Sequence, residues 1–288
     1  MVEKETNVDL SKFSTIKIGG KAKEIFFPKN HQDVSYLIKK AQDENRKIIP
    51  IGVGSNLIFK DGLLDHIFIS TKNLKKIEIS QKKDTFILTL EAGVSFKQIV
   101  EIVKKYNLEG FENLSGIPAS FGGAVAMNAG AFGTEIFDIL ESVVWIDKDG
   151  KVICSKKEEI KHSYRYTQFQ EEGFILKGSI VLKKSKKDIK QIIKEHLLER
   201  NKKQPLNLPT SGSTYKNPEE APAGYLLEKA GFKGKRIGDI GFSEKHANFL
   251  VNYGNANYSQ LIKLLQTAEN TVKTLFNIQL EREIKIVE

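Results

Sequence analysis

The sequence predicts an α+β fold, on three observations. Four amphipathic helices are readable from the spacing of apolar residues, short β-rich runs lie between them, and no regular strand–helix alternation persists along the chain. Persistent alternation would indicate a doubly wound parallel sheet, so its absence argues against one. At 288 residues the chain is too long for one small core and is suited to two or three compact units.

The first helix is expected near residues 31–46, where Val34, Leu37, Ile38 and Ala41 share a face. A second begins after Ser95, a plausible N-cap, with Phe96, Ile99, Val100 and Val103 turned inward. A third covers about 187–200 through Ile189, Ile192, Ile193 and Leu197, and the run Lys183-Lys184-Ser185-Lys186-Lys187 opens it as a solvated face. The last covers about 258–276, with Leu261, Leu264, Leu265, Ala268, Val272 and Leu275 inward. Strands are expected at 48–51, 67–69, 85–90 and 174–182, and at Val143 to Asp147 and Lys151 to Cys154 around the hairpin turn Lys148-Asp149-Gly150. Residues 280–287 alternate as another strand, with Leu280, Ile284 and Ile286 opposed to charged neighbours. The loop-like Gln204 to Pro209 follows the third helix, so a domain boundary is expected around 185–200.

Composition narrows the function classes. No apolar run approaches the ~18 residues of a membrane span, and the charged start, Met1 to Glu5, shows no signal peptide. The single cysteine, Cys154, excludes an internal disulfide and suits a reducing cytoplasm; it is expected to be a buried small hydrophobe. The net charge of +9 reads as a lysine-rich solvated surface that can also attract diphosphates or carboxylates. Zinc-finger spacing, an aromatic RNA-binding signature and a continuous basic arm are all missing, which argues against nucleic acid. His31, His66, His162 and His196 have no metal-ligand spacing, so no metal is expected.

Three glycine-rich stretches lie in the first half: Gly52-Val53-Gly54-Ser55-Asn56, Gly116-Ile117-Pro118 through Gly122-Gly123, and Asn128-Ala129-Gly130-Ala131-Phe132-Gly133. Their small residues let backbone N–H groups approach an anion or a flat ligand. Leu57 stands where a dinucleotide fingerprint needs its third glycine, and no GxxxxGK[ST] loop occurs. A diphosphate carrying two ring systems would fit, and local reasoning leaves FAD, NAD and a nucleotide-sugar open.

The ordered set of motifs resembles the UDP-N-acetylenolpyruvoylglucosamine reductases. The matching stretches are Ser14-Thr15-Ile16-Lys17-Ile18-Gly19-Gly20, Gly52 to Leu57, Leu114 to Pro118 with Gly122-Gly123-Ala124, and Asn128 to Ala131. They continue through Tyr164-Arg165-Tyr166, Gly212 to Pro218, Ser243 to Asn248 and Leu280 to Glu283, covering nearly the whole chain. The shortness of the chain resembles the type that lacks an extra tyrosine-bearing loop. Ser14, Ala119, Tyr215 and Tyr225 depart from the residues common in the family.

The resemblance implies a vanillyl-alcohol-oxidase-type FAD-binding unit of two subdomains, residues 1–70 and 71–190, followed by an α+β substrate-binding domain over 191–288. It implies non-covalent FAD, with NADPH as co-substrate, reducing an enolpyruvyl nucleotide-sugar, UDP-N-acetylglucosamine enolpyruvate, in a cytoplasmic monomer. Gly52, Gly54, Ser55, Asn56, Gly116, Ile117, Pro118, Gly122, Gly123, Asn128 and Gly130 would bind the cofactor. Arg165 would hold the substrate carboxylate, since its planar fork matches one, and Ser213 would donate a proton. Glu283, on one strand face with Glu281, would help Arg165 polarise the enolpyruvyl group. Tyr164, Lys216, Asn217, Tyr225, Lys245 and His246 would contact substrate.

Overall fold

The computed structural model describes residues 2–288; Met1, where the charged start begins, lies outside them. Two compact units emerge. One comprises the described residues up to Thr6 with Glu24–Val53 and Asp65–Leu198; the other comprises Asn7–Lys23, Gly54–Leu64 and Glu199–Glu288. The fold is α+β, with its sheets largely antiparallel.

The first unit has two apolar cores. Around the larger runs an antiparallel sheet in the order Val152–Lys156, Leu140–Asp147, Gly173–Lys184, Thr85–Glu91, Ile77–Lys82. Period-2 alternation on Thr85–Glu91 buries Phe86, Leu88 and Leu90. The helix Phe96–Tyr106 covers them with Ile99, Val100 and Val103; Ser95 caps it as expected, and does so in a reciprocal box with Gln98. The smaller core sets the helix His31–Asp43 against Phe26, Ile67 and Ile69. That helix stops short of residue 46, where Asn45 takes a left-handed conformation (φ +51°).

Two expectations fail in this unit. Cys154 is exposed rather than buried. Its strand, Val152–Lys156, lies at the sheet edge, and Trp145 Nε1–H donates to Ser155 Oγ at 3.1 Å; alternation then turns residue 154 outward. The run Lys183–Lys187 does not open the third helix. The long strand continues through Lys184, and Asn107 Nδ2–H donates to the carbonyls of Ser185 and Lys187, at 2.9 Å each, holding a turn before the helix Ile189–Lys203. Only Ile189 and Ile193 of that helix are buried, and Leu197 is exposed.

In the second unit a four-stranded antiparallel sheet runs Thr210–Ser213, Phe249–Asn252, Ile240–Phe242, Arg236–Ile237. The helix Tyr258–Phe276 packs Leu261, Leu264, Leu265, Ala268 and Val272 into its core. Leu275 is exposed, contrary to expectation, because Phe276 takes the inward place in the last turn. Tyr215 is sealed in this core and its hydroxyl donates to the Leu265 carbonyl at 3.3 Å; burial pushes its ionisation far above the usual tyrosine range. The strand expected over 280–287 is shorter than its alternation suggests. Lys285–Val287 pairs in parallel with Leu57–Phe59, whereas residues 281–283 bond to 214–216.

Candidate active site

Residues of the first unit build a cationic group at the tip of a small hairpin. His162–Ser163 pairs with Tyr166–Thr167, which leaves Tyr164 and Arg165 as the turn residues. Arg165 has φ +58°, a conformation that L side chains rarely adopt and that accumulates at functional sites. Its guanidinium donates from one terminal nitrogen to the Asn128 carbonyl at 3.3 Å and from the other to the Gly130 carbonyl at 3.0 Å. Glu135 Oε1 lies 3.6 Å away, and the Tyr164 ring packs on the guanidinium at 4.8 Å. A Cβ at Gly130 would sit 2.9 Å from the Thr134 carbonyl and 3.3 Å from the Arg165 guanidinium, so glycine is needed there.

Ser213, in the second unit, ends the strand Thr210–Ser213 opposite Phe249 and is half-buried. It lines a cavity of about 290 Å³ together with Asn217, Tyr225, Lys245, His246 and Asn248. Four of the six residues expected to contact substrate therefore share one wall with the expected proton donor. Glu283 is half-buried nearby in the chain path: its N–H donates to the Thr214 carbonyl at 2.8 Å. Lys216 is not on the cavity wall; its ammonium pairs with Glu281 at 2.6 Å. Asn217 Oδ1 accepts from Ala223 N–H at 3.0 Å, holding the start of the helix Ala223–Lys229. Asn248 fixes the wall, accepting from Tyr215 N–H at 2.9 Å and donating to its carbonyl at 2.8 Å. Each such bond is worth about 1 kcal/mol net, and each would leave a buried backbone group unpaired if lost.

His246 receives the Asn248 N–H at Nδ1, 3.2 Å away, so the neutral ring carries its proton on Nε2. Burial holds its pKa below the usual histidine value. A depressed folded-state pKa makes stability complete above the unfolded value, ~6.5, and erodes it as pH falls through the folded one. Melting temperature should therefore drop more steeply below about pH 6.5 in the parent protein than in His246→Gln. Identical pH slopes would refute this.

Sequence reasoning missed Glu135 and Arg200. Glu135 carries no motif, and only the tertiary fold brings it to Arg165. Arg200 is half-buried, burial lowers its pKa, and its Nε is sealed without a hydrogen-bond partner among the described residues. No spacing pattern marks either residue.

Comparison with known proteins gives the family. Residues 204–287 match the UDP-N-acetylenolpyruvoylglucosamine reductase C-terminal domain, and residues 22–155 match an FAD binding domain. The UDP-N-acetylenolpyruvoylglucosamine reductase of Aquifex aeolicus is 42% identical over 98% of this chain and 94% of its own. The chain belongs to the UDP-N-acetylenolpyruvoylglucosamine reductase family. A solved reductase of that name from Thermus caldophilus superposes with a TM-score of 0.83 at 27% identity, covering 100% of this chain and 99% of its own. Cholesterol oxidase from Brevibacterium sterolicum, at TM-score 0.50 and 18% identity over 64% of this chain, shares the fold alone.

The residues expected to hold the reductase cofactor fit a flavin nucleotide. In the first unit Ser115 Oγ and Asn128 Oδ1 are sealed and have no hydrogen-bond partner among the described residues, and such groups cost about 1–3 kcal/mol each until a donor reaches them. Pro118 and Gly123 are exposed, and Gly52, Gly116, Ile117 and Gly130 are half-buried; Gly122 is buried. In the second unit Ser55 and Asn56 are half-buried. Asn56 Nδ2–H donates to the Glu283 carbonyl at 3.1 Å. Gly54 has φ +78° and a Cβ there would strike the Phe13 carbonyl, so it shapes the loop from inside.

Proposed function

We propose that this chain reduces the enolpyruvyl group of UDP-N-acetylglucosamine enolpyruvate to UDP-N-acetylmuramate, an NADPH- and FAD-dependent step of peptidoglycan precursor synthesis. Family membership over nearly the whole chain supports the activity. The structural observation that carries the reading is the placement of Ser213 on a cavity wall with Asn217, Tyr225, Lys245 and His246. The three glycine-rich stretches would hold FAD non-covalently. Bound there, it would supply the redox chemistry, hydride transfer between NADPH and the vinyl carbon of the substrate.

The chain's own residues do the rest. Hydride attack builds negative charge toward the substrate carboxylate, so a fixed cation there lowers the barrier. Arg165 provides it, its fork presented by the carbonyls of Asn128 and Gly130. Ser213 delivers the proton to the neighbouring carbon. Glu283 supports Arg165 in polarising the enolpyruvyl group. Lys245 and His246 offer the nucleotide a cation and an Nε2–H donor, and Tyr225, more than half exposed, offers a ring face. The lone cysteine supports a reducing cytoplasmic setting.

A visible spectrum of the purified protein, followed by NADPH oxidation with and without the enolpyruvyl nucleotide-sugar, tests this. We expect flavin bands and substrate-dependent oxidation. Flavin without that dependence would place the chain among other FAD oxidoreductases of the fold. Failure to take up FAD on reconstitution would sink the enzyme reading altogether.

A further inference from the structure

We propose that Glu135 is the positioning residue of Arg165, orienting its guanidinium by a direct ion pair that the buried Asn128 amide braces. The inference rests on the reading of Arg165 as the group that holds the substrate carboxylate.

Arg165 sits in a two-residue hairpin turn with a long, rotatable side chain, so the turn alone does not set where the charge points. Three acceptors from one stretch hold it on one side: the carbonyls of Asn128 and Gly130, and the Glu135 carboxylate. Glu135 is the only charged member of the three. Its Oε2 accepts from Asn128 Nδ2–H at 2.7 Å while its Oε1 faces Arg165. Asn128 is fully buried, and the same Nδ2 donates to the Ser163 carbonyl at 3.1 Å, in the strand that leads into the Arg165 turn. Asn128 thus clamps the carboxylate from one side and the arginine hairpin from the other. Backbone strain gathers here too: Asn128, Phe132 and Arg165 all have positive φ. The Glu135 backbone is itself anchored, its N–H donating to Asp138 Oδ2 at 2.8 Å.

An ion pair at 3.6 Å with a partly exposed carboxylate adds little to stability. The purpose of the arrangement is geometric, since a small misplacement of a reacting group can cost ~10²-fold in rate. Glu135 acts through Arg165 and need not touch substrate.

The test compares the holoenzyme with Glu135→Ala, Glu135→Gln, Arg165→Ala and the Arg165→Ala/Glu135→Ala double variant. Flavin content, melting temperature, anaerobic bleaching by NADPH and reoxidation of the pre-reduced protein by the enolpyruvyl nucleotide-sugar are measured for each. We expect Glu135→Ala to slow reoxidation by roughly 10–100-fold, with bleaching and flavin content unchanged. Glu135→Gln, which keeps an oxygen for Asn128, should lose less. The double variant should be no slower than Arg165→Ala alone, because the two residues act as one unit. Unaltered reoxidation in Glu135→Ala, or a loss that adds in full to that of Arg165→Ala, overturns the proposal. If Glu135→Ala melts early or loses flavin, Glu135→Gln decides, and wild-type reoxidation there overturns it equally. Arg165→Ala alone reports on the underlying reading: if it reoxidises normally, that reading fails first and takes this proposal with it.

Discussion

Replacing Ser213 with alanine should leave bleaching of the flavin by NADPH nearly intact while slowing reoxidation by the enolpyruvyl nucleotide-sugar by roughly 10²–10⁴-fold, the range for a lost, positioned proton donor. The asymmetry follows from where the hydroxyl is needed. Only the second half of the reaction places a proton on carbon. The structure makes the variant a clean probe. The Ser213 hydroxyl makes no hydrogen bond to other described residues, so alanine removes no structural bond. The strand pairing with Phe249 is made by backbone and survives. A small loss of melting temperature with a large, one-sided kinetic loss is the expected signature. Equal slowing of both halves would show that Ser213 shapes the site without delivering the proton.

Arg165→Ala should reduce substrate turnover by on the order of 10²–10³-fold with flavin content unchanged, as expected for removing a fixed charge from a developing oxyanion. Arg165→Lys should recover only part of this, because an ammonium is a point charge without the planar fork. It also could not reach the Asn128 and Gly130 carbonyls with two separate nitrogens, as the guanidinium does. Rapid-mixing traces and the ratio of flavin to protein check both variants. A colourless Arg165→Ala protein would assign the residue to the cofactor instead.

What the sequence revealed was mostly local. Ser95 reads as the cap of its helix from its place before an apolar-periodic run, and apolar spacing marks the buried faces. The glycine and Tyr-Arg-Tyr motifs were legible because many positions recur in one order. What depended on distant partners was hidden. Cys154 faces outward because of a strand register set by Trp145 and Ser155. Lys183 and Lys184 extend a strand that residues 84 and 85 hold in place, although they read as the solvated opening of a helix. The alternation of 280–287 promised one continuous strand, yet residues 281–283 answer to 214–216 and residues 285–287 to 57–59. Glu135 meets Arg165 directly while the buried amide of Asn128 holds its other oxygen, an arrangement no spacing rule encodes.

The parallel pairing of Lys285–Val287 with Leu57–Phe59 sets an order of assembly. The second unit draws Asn7–Lys23 and Gly54–Leu64 from early in the chain and the rest from its end. During synthesis Ile16, Ile18 and Ile58 emerge long before Leu226, Leu250 and Leu264, the core residues that will cover them. The first unit needs nothing beyond Leu198 and can close while translation continues. The second cannot, because its strand Lys285–Val287 is synthesised after every other element of the unit. The nascent chain therefore carries an orphan edge and bare aliphatic side chains for most of its elongation, which makes those early segments natural clients for a chaperone.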